Sequence, residues 1–255
     1  MKIILSPAKQ MVYSELAPAP LTEPVFLQQA EQLKGCIQTL SLQQAQKLWG
    51  CSDRLAAQAY GYFQEMDLAR SVSPAILSYD GIAFKYMAPS VFEQNQFDYL
   101  SRHLVILSGF YGCLRPMDGI VPYRLEMQAK GDFCGCRDLY SFWGDRLCRY
   151  VCDDPDGTTV VDLASKEYSR CIEKHLLPRD RMVTVTFAEM AGERLVQKGV
   201  YCKMARGEMV RYMAENAIED PKDIIGFDRL GYRFAPAYSS ENELVFLRDP
   251  KQENQ

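Results

Sequence analysis

Six basic residues stand where predicted strand ends, loops and one helix face could bring cationic side chains together. Lys9 follows an apolar run at residues 2–5, and Lys166 follows a second apolar run that ends at Leu163. Lys203 and Arg206 are three residues apart, which places them on one face of a helix. The full set comprises Lys9, Arg115, Arg124, Lys166, Lys203 and Arg206. Such side chains bind phosphate groups, so the set predicts a local positive cleft.

Carboxylates are interspersed among these cations, and salt bridges that only stabilise the fold explain the same pattern equally well. The carboxylates in question are Asp80, Asp118, Glu126, Asp138, Asp162 and Glu167. Any one of the cations, taken alone, is more commonly a solvated surface charge. The residue pattern leaves both explanations open.

The segment from Ser6 to Lys9 has the Ser-x-x-Lys spacing of penicillin-binding acyl transferases. Those enzymes also need a Ser-Asp-Asn and a Lys-Thr-Gly element, and this sequence contains neither. Acyl transfer is therefore disfavoured. What remains is a lysine beside a predicted helix start at the end of a buried strand, which is a suitable place to hold an anion.

Metal and cofactor chemistry find little support in the sequence. There is no phosphate-binding glycine loop, no dinucleotide fingerprint, no nucleophile elbow and no zincin helix. Only two histidines occur, His103 and His175, and each is more typical of local hydrogen bonding than of metal ligation. The cysteine pairs 134/136 and 148/152 lack the C-x-x-C spacing that suits zinc. We expect neither a metal nor a cofactor.

Composition limits the class of protein. The chain has 255 residues, 47% of them hydrophobic and 24% charged, with a net charge of −4, as expected for a globular protein. No segment resembles a membrane span or a signal peptide, and the nine cysteines are predicted to be reduced thiols. These features predict a cytoplasmic protein without membrane contact. The negative net charge disfavours coating of nucleic acid but permits a local basic site.

Apolar runs alternate with amphipathic segments along the chain. Residues 2–5, 104–107, 158–163, 182–187 and 244–247 are predicted strands, whereas residues 139–151 and 203–217 are predicted helices. This alternation indicates an α/β class with a mixed sheet and surrounding helices.

A helical hairpin is predicted at residues 41–66. Ser41 and Gln44 have the spacing of a capping box, Gly50 ends the first helix, and Ser52 can cap the second. Helical hairpins can present backbone amides to phosphate, although most of them only pack.

Seven blocks of the sequence, in order, resemble the YaaA family of bacterial peroxide stress-response proteins. They are Ser6–Lys9 and residues 107–118, 122–127, 139–145, 162–168, 203–207 and 243–246. The resemblance covers the chain from the first predicted strand to the last. It implies a single compact domain over residues 1–255, of the kind described as cantaloupe-like.

The resemblance also implies a function. Family members look like cytosolic proteins that protect against hydrogen peroxide by limiting free iron and iron-driven oxidation of DNA. They are described as binding DNA through a positive cleft and a helix-hairpin-helix-like element. Because a helical hairpin contacts phosphates and not bases, we expect binding to duplex DNA without sequence specificity. Carried over to this sequence, the hairpin is residues 42–64 and the cleft draws on the six basic residues above. Such binding should weaken steeply with salt.

An alternative is an enzyme acting on damaged nucleic acid or on a nucleotide in the same cleft. Lys9 or Lys166 would be its nucleophile or anion holder, with Glu126 or Asp162 as acid or base. The prediction favours a protein that is not an enzyme. Direct iron binding is the weakest hypothesis, because the scattered carboxylates and two histidines form no visible ligand triad.

Overall fold

The computed structural model describes residues 1–14, 20–70 and 73–249. The strands are β1 Lys2–Leu5, β2 Gln10–Met11, β3 Ser73–Pro74, β4 Tyr79–Asp80, β5 Leu104–Ser108, β6 Gly112–Leu114, β7 Gly119–Ile120, β8 Lys130–Phe133, β9 Cys136–Asp138, β10 Thr159–Leu163, β11 Arg181–Ala191, β12 Arg194–Val196, β13 Tyr232–Phe234 and β14 Glu243–Arg248. The helices are α1 Leu27–Gln38, α2 Leu42–Trp49, α3 Asp53–Glu65, α4 Ala75–Ser78, α5 Ile82–Met87, α6 Gln94–His103, α7 Leu139–Trp143, α8 Arg146–Val151, α9 Lys166–Glu173 and α10 Gly199–Glu215.

The main sheet has the strand order β13-β14-β11-β10-β1-β5-β6, with β12 paired to β11. Strands β5, β1, β10, β11 and β14 run parallel to one another. Strands β6, β12 and β13 pair antiparallel to β5, β11 and β14, respectively. Ile3 and Ile4 of the central strand β1 are fully buried, as expected for a parallel strand covered on both faces. Buried side chains form one continuous cluster. The predicted mixed α/β fold in one compact domain is confirmed.

The order of connections creates a switch point beside β1. The chain passes from β1 to β5 on one side, and later places β10 on the other side of β1. The connection after β1 therefore leads towards β5 and the connection after β10 leads towards β11, so the two diverge at the carboxyl ends of β1 and β10. In open parallel sheets this is where a crevice forms and where ligands bind.

Two consecutive helices, α2 and α3, lie where the helical hairpin is predicted. The Ser41 hydroxyl accepts the Gln44 N–H, and the Gln44 side chain accepts the Ser41 N–H at 2.8 Å, completing the capping box. Gly50 ends α2 with a left-handed φ of 54°, a conformation that favours glycine. Trp49 and Phe63 then stack with ring centroids 5.8 Å apart, which fixes α2 against α3.

Residues 139–151 do not form one helix, contrary to the prediction. They form α7 and α8, and the break falls at Gly144, whose φ is 56°. The Asp138 side chain accepts the Ser141 N–H at 2.7 Å and caps α7. A positive φ at Gly144 cannot continue a right-handed helix, so the apolar periodicity spans two short helices.

The prediction that all nine cysteines are free thiols is wrong. Cys36 at the C-terminal part of α1 forms a disulfide with Cys134 in the turn between β8 and β9. The two positions are 98 residues apart, so no local spacing could have indicated the pairing. The bond links α1 covalently to the β8–β9 hairpin. In the described part of the chain, none of the helices combines the length and apolar character that crossing a bilayer requires.

Candidate functional site

A cavity of about 380 Å³ lies at the carboxyl ends of β1 and β10, at the switch point of the sheet. Five segments line it: the loop after β1, the start of α5, residues 123–126, the start of α9, and one face of α10. Its volume is within the range typical of small-molecule sites. The position and the size together make it the candidate functional site.

Close backbone approaches hold these segments together. A Cβ on Gly207 of α10 would lie 1.9 Å from the carbonyl oxygen of Ala83 in α5. A Cβ on Gly81 would lie 2.6 Å from the Cβ of Ala8. Both positions therefore need glycine, because any side chain would force the cavity walls apart. The sequence does carry a signal for Gly207, since a glycine in the interior of a predicted helix often marks a close packing contact.

Four of the six predicted basic residues converge on this cavity. They are Lys9, Arg124, Lys203 and Arg206, and Glu126 lies among them. The Glu126 carboxylate is shared by two cations: Arg124 Nη2 lies 3.0 Å and Lys9 Nζ 3.3 Å from its Oε1. Lys9 is 64% exposed, whereas Arg124 and Glu126 are mostly buried. Lys9 therefore stands at the mouth, and the Arg124–Glu126 pair forms part of the wall.

Arg206 is different because nothing neutralises it at close range. Across residues 1–14, 20–70 and 73–249, its guanidinium makes no salt bridge and its buried Nε finds no hydrogen-bond partner. Burial lowers the pKa of Arg206, and only longer-range attraction to Cys202 and Asp162 opposes this. A partly buried cation without a bonded counter-ion is poorly solvated, so the geometry favours an anion supplied from outside.

Two carboxyl groups beside the cavity have raised pKa values. Burial raises the pKa of Asp162 to about 6, although its Oδ1 accepts the Ala164 N–H at 2.8 Å and Arg206 attracts it. Burial and the nearby Glu126 carboxylate raise the pKa of Glu167, whose side chain accepts the Gln128 N–H at 3.1 Å. With its pKa near 6, Asp162 can donate or accept a proton close to neutral pH.

A buried hydrogen-bonded chain of hydroxyl groups supports one wall of the cavity. The Tyr123 hydroxyl lies 2.7 Å from the hydroxyls of both Tyr79 and Ser108. Burial raises the pKa of Tyr123 to about 12. These tyrosines are therefore neutral, and they fix the segment that carries Arg124 and Glu126. Their contribution was missed in the sequence because three separate segments meet there.

Arg115 and Lys166 do not line this cavity. The Arg115 Nε donates to the fully buried Asp118 at 2.9 Å and its Nη2 donates to the Glu23 carbonyl at 2.7 Å, so the guanidinium fixes a loop. Lys166 pairs with Glu173 at 2.5 Å and lines a neighbouring open cavity of about 760 Å³. For these two residues the geometry matches the salt-bridge explanation of the charge pattern.

The second helix of the hairpin borders the same basic region. A smaller cavity of about 230 Å³ lies between Lys9 and Arg124 on one side and α3 on the other. Arg54, Gln58 and Tyr62 of α3 line it. The sequence did not single out Arg54, because only the packing of α3 brings it next to Lys9.

His103 forms local hydrogen bonds, as predicted: its Nδ1 lies 2.9 Å from the Met1 carbonyl oxygen and its Nε2 lies 3.2 Å from Glu219. In the part of the chain that the structure describes, no three His, Cys, Asp or Glu side chains are grouped as metal ligands.

Comparison with known proteins adds a family match over nearly the whole chain. A sequence model described as peroxide stress protein YaaA matches residues 1–238. A UPF0246 protein of Agathobacter rectalis is 51% identical over 248 residues, covering 97% of this chain and 99% of that protein. UPF0246 proteins of Desulfitobacterium hafniense and Lactiplantibacillus plantarum are 49% and 46% identical, each over 97% of this chain.

Proposed function

The chain belongs to the YaaA family of peroxide stress proteins, and from that premise we propose that it protects cytoplasmic DNA against peroxide by binding the duplex without sequence specificity. The bound surface is the basic region around the cavity. Lys9 and Lys203 contact phosphates at its mouth, Arg124 and Arg206 add positive charge behind them, and Arg54 extends it along α3.

The observation that carries this proposal is the convergence of four cations, from three distant parts of the chain, on a cavity that is also lined by the carboxylates Asp80, Glu126 and Glu167. Lys9 follows β1, Arg124 lies in the loop before β8, and Lys203 and Arg206 lie on α10. A protein with a net charge of −4 repels DNA on average, so duplex contact needs such a local concentration. Contacts to phosphates position a protein on DNA without reading bases, which agrees with sequence-independent binding.

Fluorescence anisotropy with two duplexes of equal length and unrelated sequence tests this function. We expect equal affinities for the two sequences and a loss in the double variant Lys9→Ala/Lys203→Ala, because both side chains are exposed and their removal leaves the core intact. Lys222→Ala is the matched control, since Lys222 is an exposed lysine outside the cavity lining. An affinity that the double variant keeps in full contradicts the proposal.

We further propose that the effect on iron is indirect, without a resident iron site. Protein purified anaerobically from iron-replete cells should then contain far less than one iron per chain. One tightly held iron per chain, retained through desalting, contradicts an indirect role.

An enzyme acting on damaged nucleic acid or on a nucleotide is the second candidate, favoured by the site lying at the carboxyl ends of β1 and β10 beside Glu126 and Glu167. Of the two lysines considered, Lys9 lines the cavity and Lys166 does not. However, Lys9 is exposed and ion-paired with Glu126, and an ion-paired ammonium is a poor nucleophile. Borohydride trapping on DNA with abasic sites separates the candidates: an adduct lost in Lys9→Ala supports the enzyme, and no adduct supports binding alone.

A further inference from the structure

The Arg206 guanidinium faces the cavity from α10 without a counter-ion at bonding distance. Its Nε is buried and has no hydrogen-bond partner in the described chain, and Asp162 acts on it only through longer-range attraction. A guanidinium that is partly withdrawn from water, with its Nε fully buried, is usually completed by a carboxylate, a phosphate or a ligand. This one side chain therefore indicates a missing partner of negative charge.

Of the other cations that line the cavity, Lys9 and Arg124 have a carboxylate partner and Lys203 has none in the described chain, while the Arg124 Nε is, like that of Arg206, buried without a hydrogen-bond partner. Lys9 and Arg124 share the Glu126 carboxylate, as described above. Lys203 precedes Arg206 by three residues on α10, lines the same cavity, and is exposed at its edge. The positive charge that remains for a ligand is thus concentrated on adjacent turns of one helix.

The start of α9 forms the opposite wall of the cavity. The eight-residue helix α9 begins at Lys166, and Ser165 and Glu167 from its start line the cavity. The Ser6 hydroxyl lies 3.2 Å from the Ser165 hydroxyl and accepts the Ser165 N–H at 2.8 Å, which ties the loop after β1 to this helix end. The Arg206 guanidinium, the Lys203 ammonium and the Ser165 hydroxyl thus line one space, whose wall also contains the Glu126 and Glu167 carboxylates. A phosphate, with three terminal oxygens, uses such a set more fully than a carboxylate with two.

The rest of the cavity wall is apolar. Ile82, Phe84, Leu163 and Tyr168 line it, and most of its surface is contributed by carbon atoms. Phe84 and Tyr168 are aromatic, so their rings can pack against a flat organic group. The cavity therefore combines an anion-binding end with an apolar end, as small-molecule sites generally do.

We propose that this cavity binds one small phosphate monoester, with its phosphate on Arg206 and Lys203 and its organic part against the apolar wall. This inference goes beyond duplex binding and does not require it. The phosphate monoester can be a free small molecule, such as a nucleotide, or the 5′-phosphate at the end of a DNA strand. Both sources present the same chemistry to Arg206, and they are separate arms of the test.

Isothermal titration of the intact protein with adenosine 5′-monophosphate tests the site, with adenosine and inorganic phosphate as the two halves of the probe. We expect the monophosphate to bind, inorganic phosphate to compete, and adenosine to bind at least about tenfold more weakly. A parallel arm compares 5′-phosphorylated and unphosphorylated single strands, and preference for the phosphorylated strand identifies a DNA end as a source. If neither the monophosphate nor the phosphorylated strand binds at millimolar concentration, the inference is overturned.

The variant Arg206→Met distinguishes an arginine that binds the ligand from one that only stabilises the fold. Because the charge is uncompensated without ligand, its removal should leave the urea midpoint of the free protein unchanged or raised, while binding of the monophosphate weakens at least about tenfold. Arg206→Lys keeps the charge without the planar fork and should bind with intermediate affinity. A lowered midpoint together with unchanged monophosphate affinity overturns the proposal.

Arg229→Met is the matched control, because Arg229 also packs beside α10 but is neutralised by Glu208 and Glu215. Its loss should lower the urea midpoint and leave monophosphate binding unchanged. If the monophosphate does not bind while the duplex still binds, the proposed phosphate site is overturned and the proposed duplex binding is not. The two proposals are therefore separable.

Discussion

Gly207→Ala is expected to destabilise the protein even though the substitution improves helix propensity. Gly207 lies inside α10, where alanine is normally favoured by about 1 kcal/mol. Here the new methyl group would lie 1.9 Å from the Ala83 carbonyl oxygen and 2.9 Å from the Met87 backbone nitrogen. Its neighbours are backbone atoms, so rotation of a side chain cannot relieve the overlap, and α10 must move away from α5.

The size of the effect follows from these distances. Real Cβ atoms essentially never approach another heavy atom within 3.0 Å, so the two helices must separate by about 1 Å. Overpacking of this kind costs about 1–3 kcal/mol, and the helix propensity offsets about 1 kcal/mol of it. We therefore expect a net loss of up to about 2 kcal/mol in the free energy of unfolding. The separation also moves Arg206, the preceding residue, relative to the rest of the cavity.

Urea unfolding of Gly207→Ala beside Gly61→Ala tests this reasoning. Gly61 also lies inside a helix, α3, but a Cβ there would meet nothing within 4 Å, so Gly61→Ala should raise the free energy of unfolding by about 0.5–1 kcal/mol. Opposite signs for the two variants support the close approach of α10 and α5. A gain in Gly207→Ala equal to that of Gly61→Ala would refute it.

Two further changes have defined outcomes. Burial raises the pKa of Asp162 to about 6, so the folded chain keeps a proton that the unfolded chain releases near pH 4. As the pH rises from about 4 to about 6, this group should therefore lower the free energy of unfolding by roughly 3 kcal/mol. Asp162→Asn should remove that part of the pH dependence in urea titrations, and identical profiles for the two proteins would contradict the assignment. Reduction of the Cys36–Cys134 disulfide should lower the free energy of unfolding by about 2–4 kcal/mol, because the bond closes a loop of 98 residues. Cys36→Ser/Cys134→Ser should match the reduced protein and be insensitive to reductant, and an effect of reductant on this variant would contradict the explanation.

The fold was predictable where local chemistry decides the structure. The apolar runs around Ile4 and Val161 became adjacent parallel strands, and the capping box at Ser41 became the start of α2. Both patterns depend on neighbouring residues alone. The break at Gly144 depends on one positive φ, which apolar periodicity does not reveal.

The site was only partly predictable, because charge at a strand end does not specify its partner. Arg115 and Arg124 looked equivalent in sequence, yet Arg115 fixes a loop through Asp118 whereas Arg124 lines the cavity. The Cys36–Cys134 bond and the position of Arg54 beside Lys9 arise from tertiary packing between distant segments. Such pairings cannot be read from one sequence without knowledge of the topology.

The salt dependence of duplex binding tests the central proposal most directly. Phosphate contacts by Lys9 and Lys203 at the mouth predict a slope of log K against log salt of about −1.8, or roughly a tenfold loss between 50 and 200 mM salt. Lys9→Ala/Lys203→Ala should reduce the magnitude of that slope by about 2, while Lys222→Ala leaves it unchanged. A slope near zero in the wild-type protein, or the same slope in the double variant, would contradict duplex binding through this cleft.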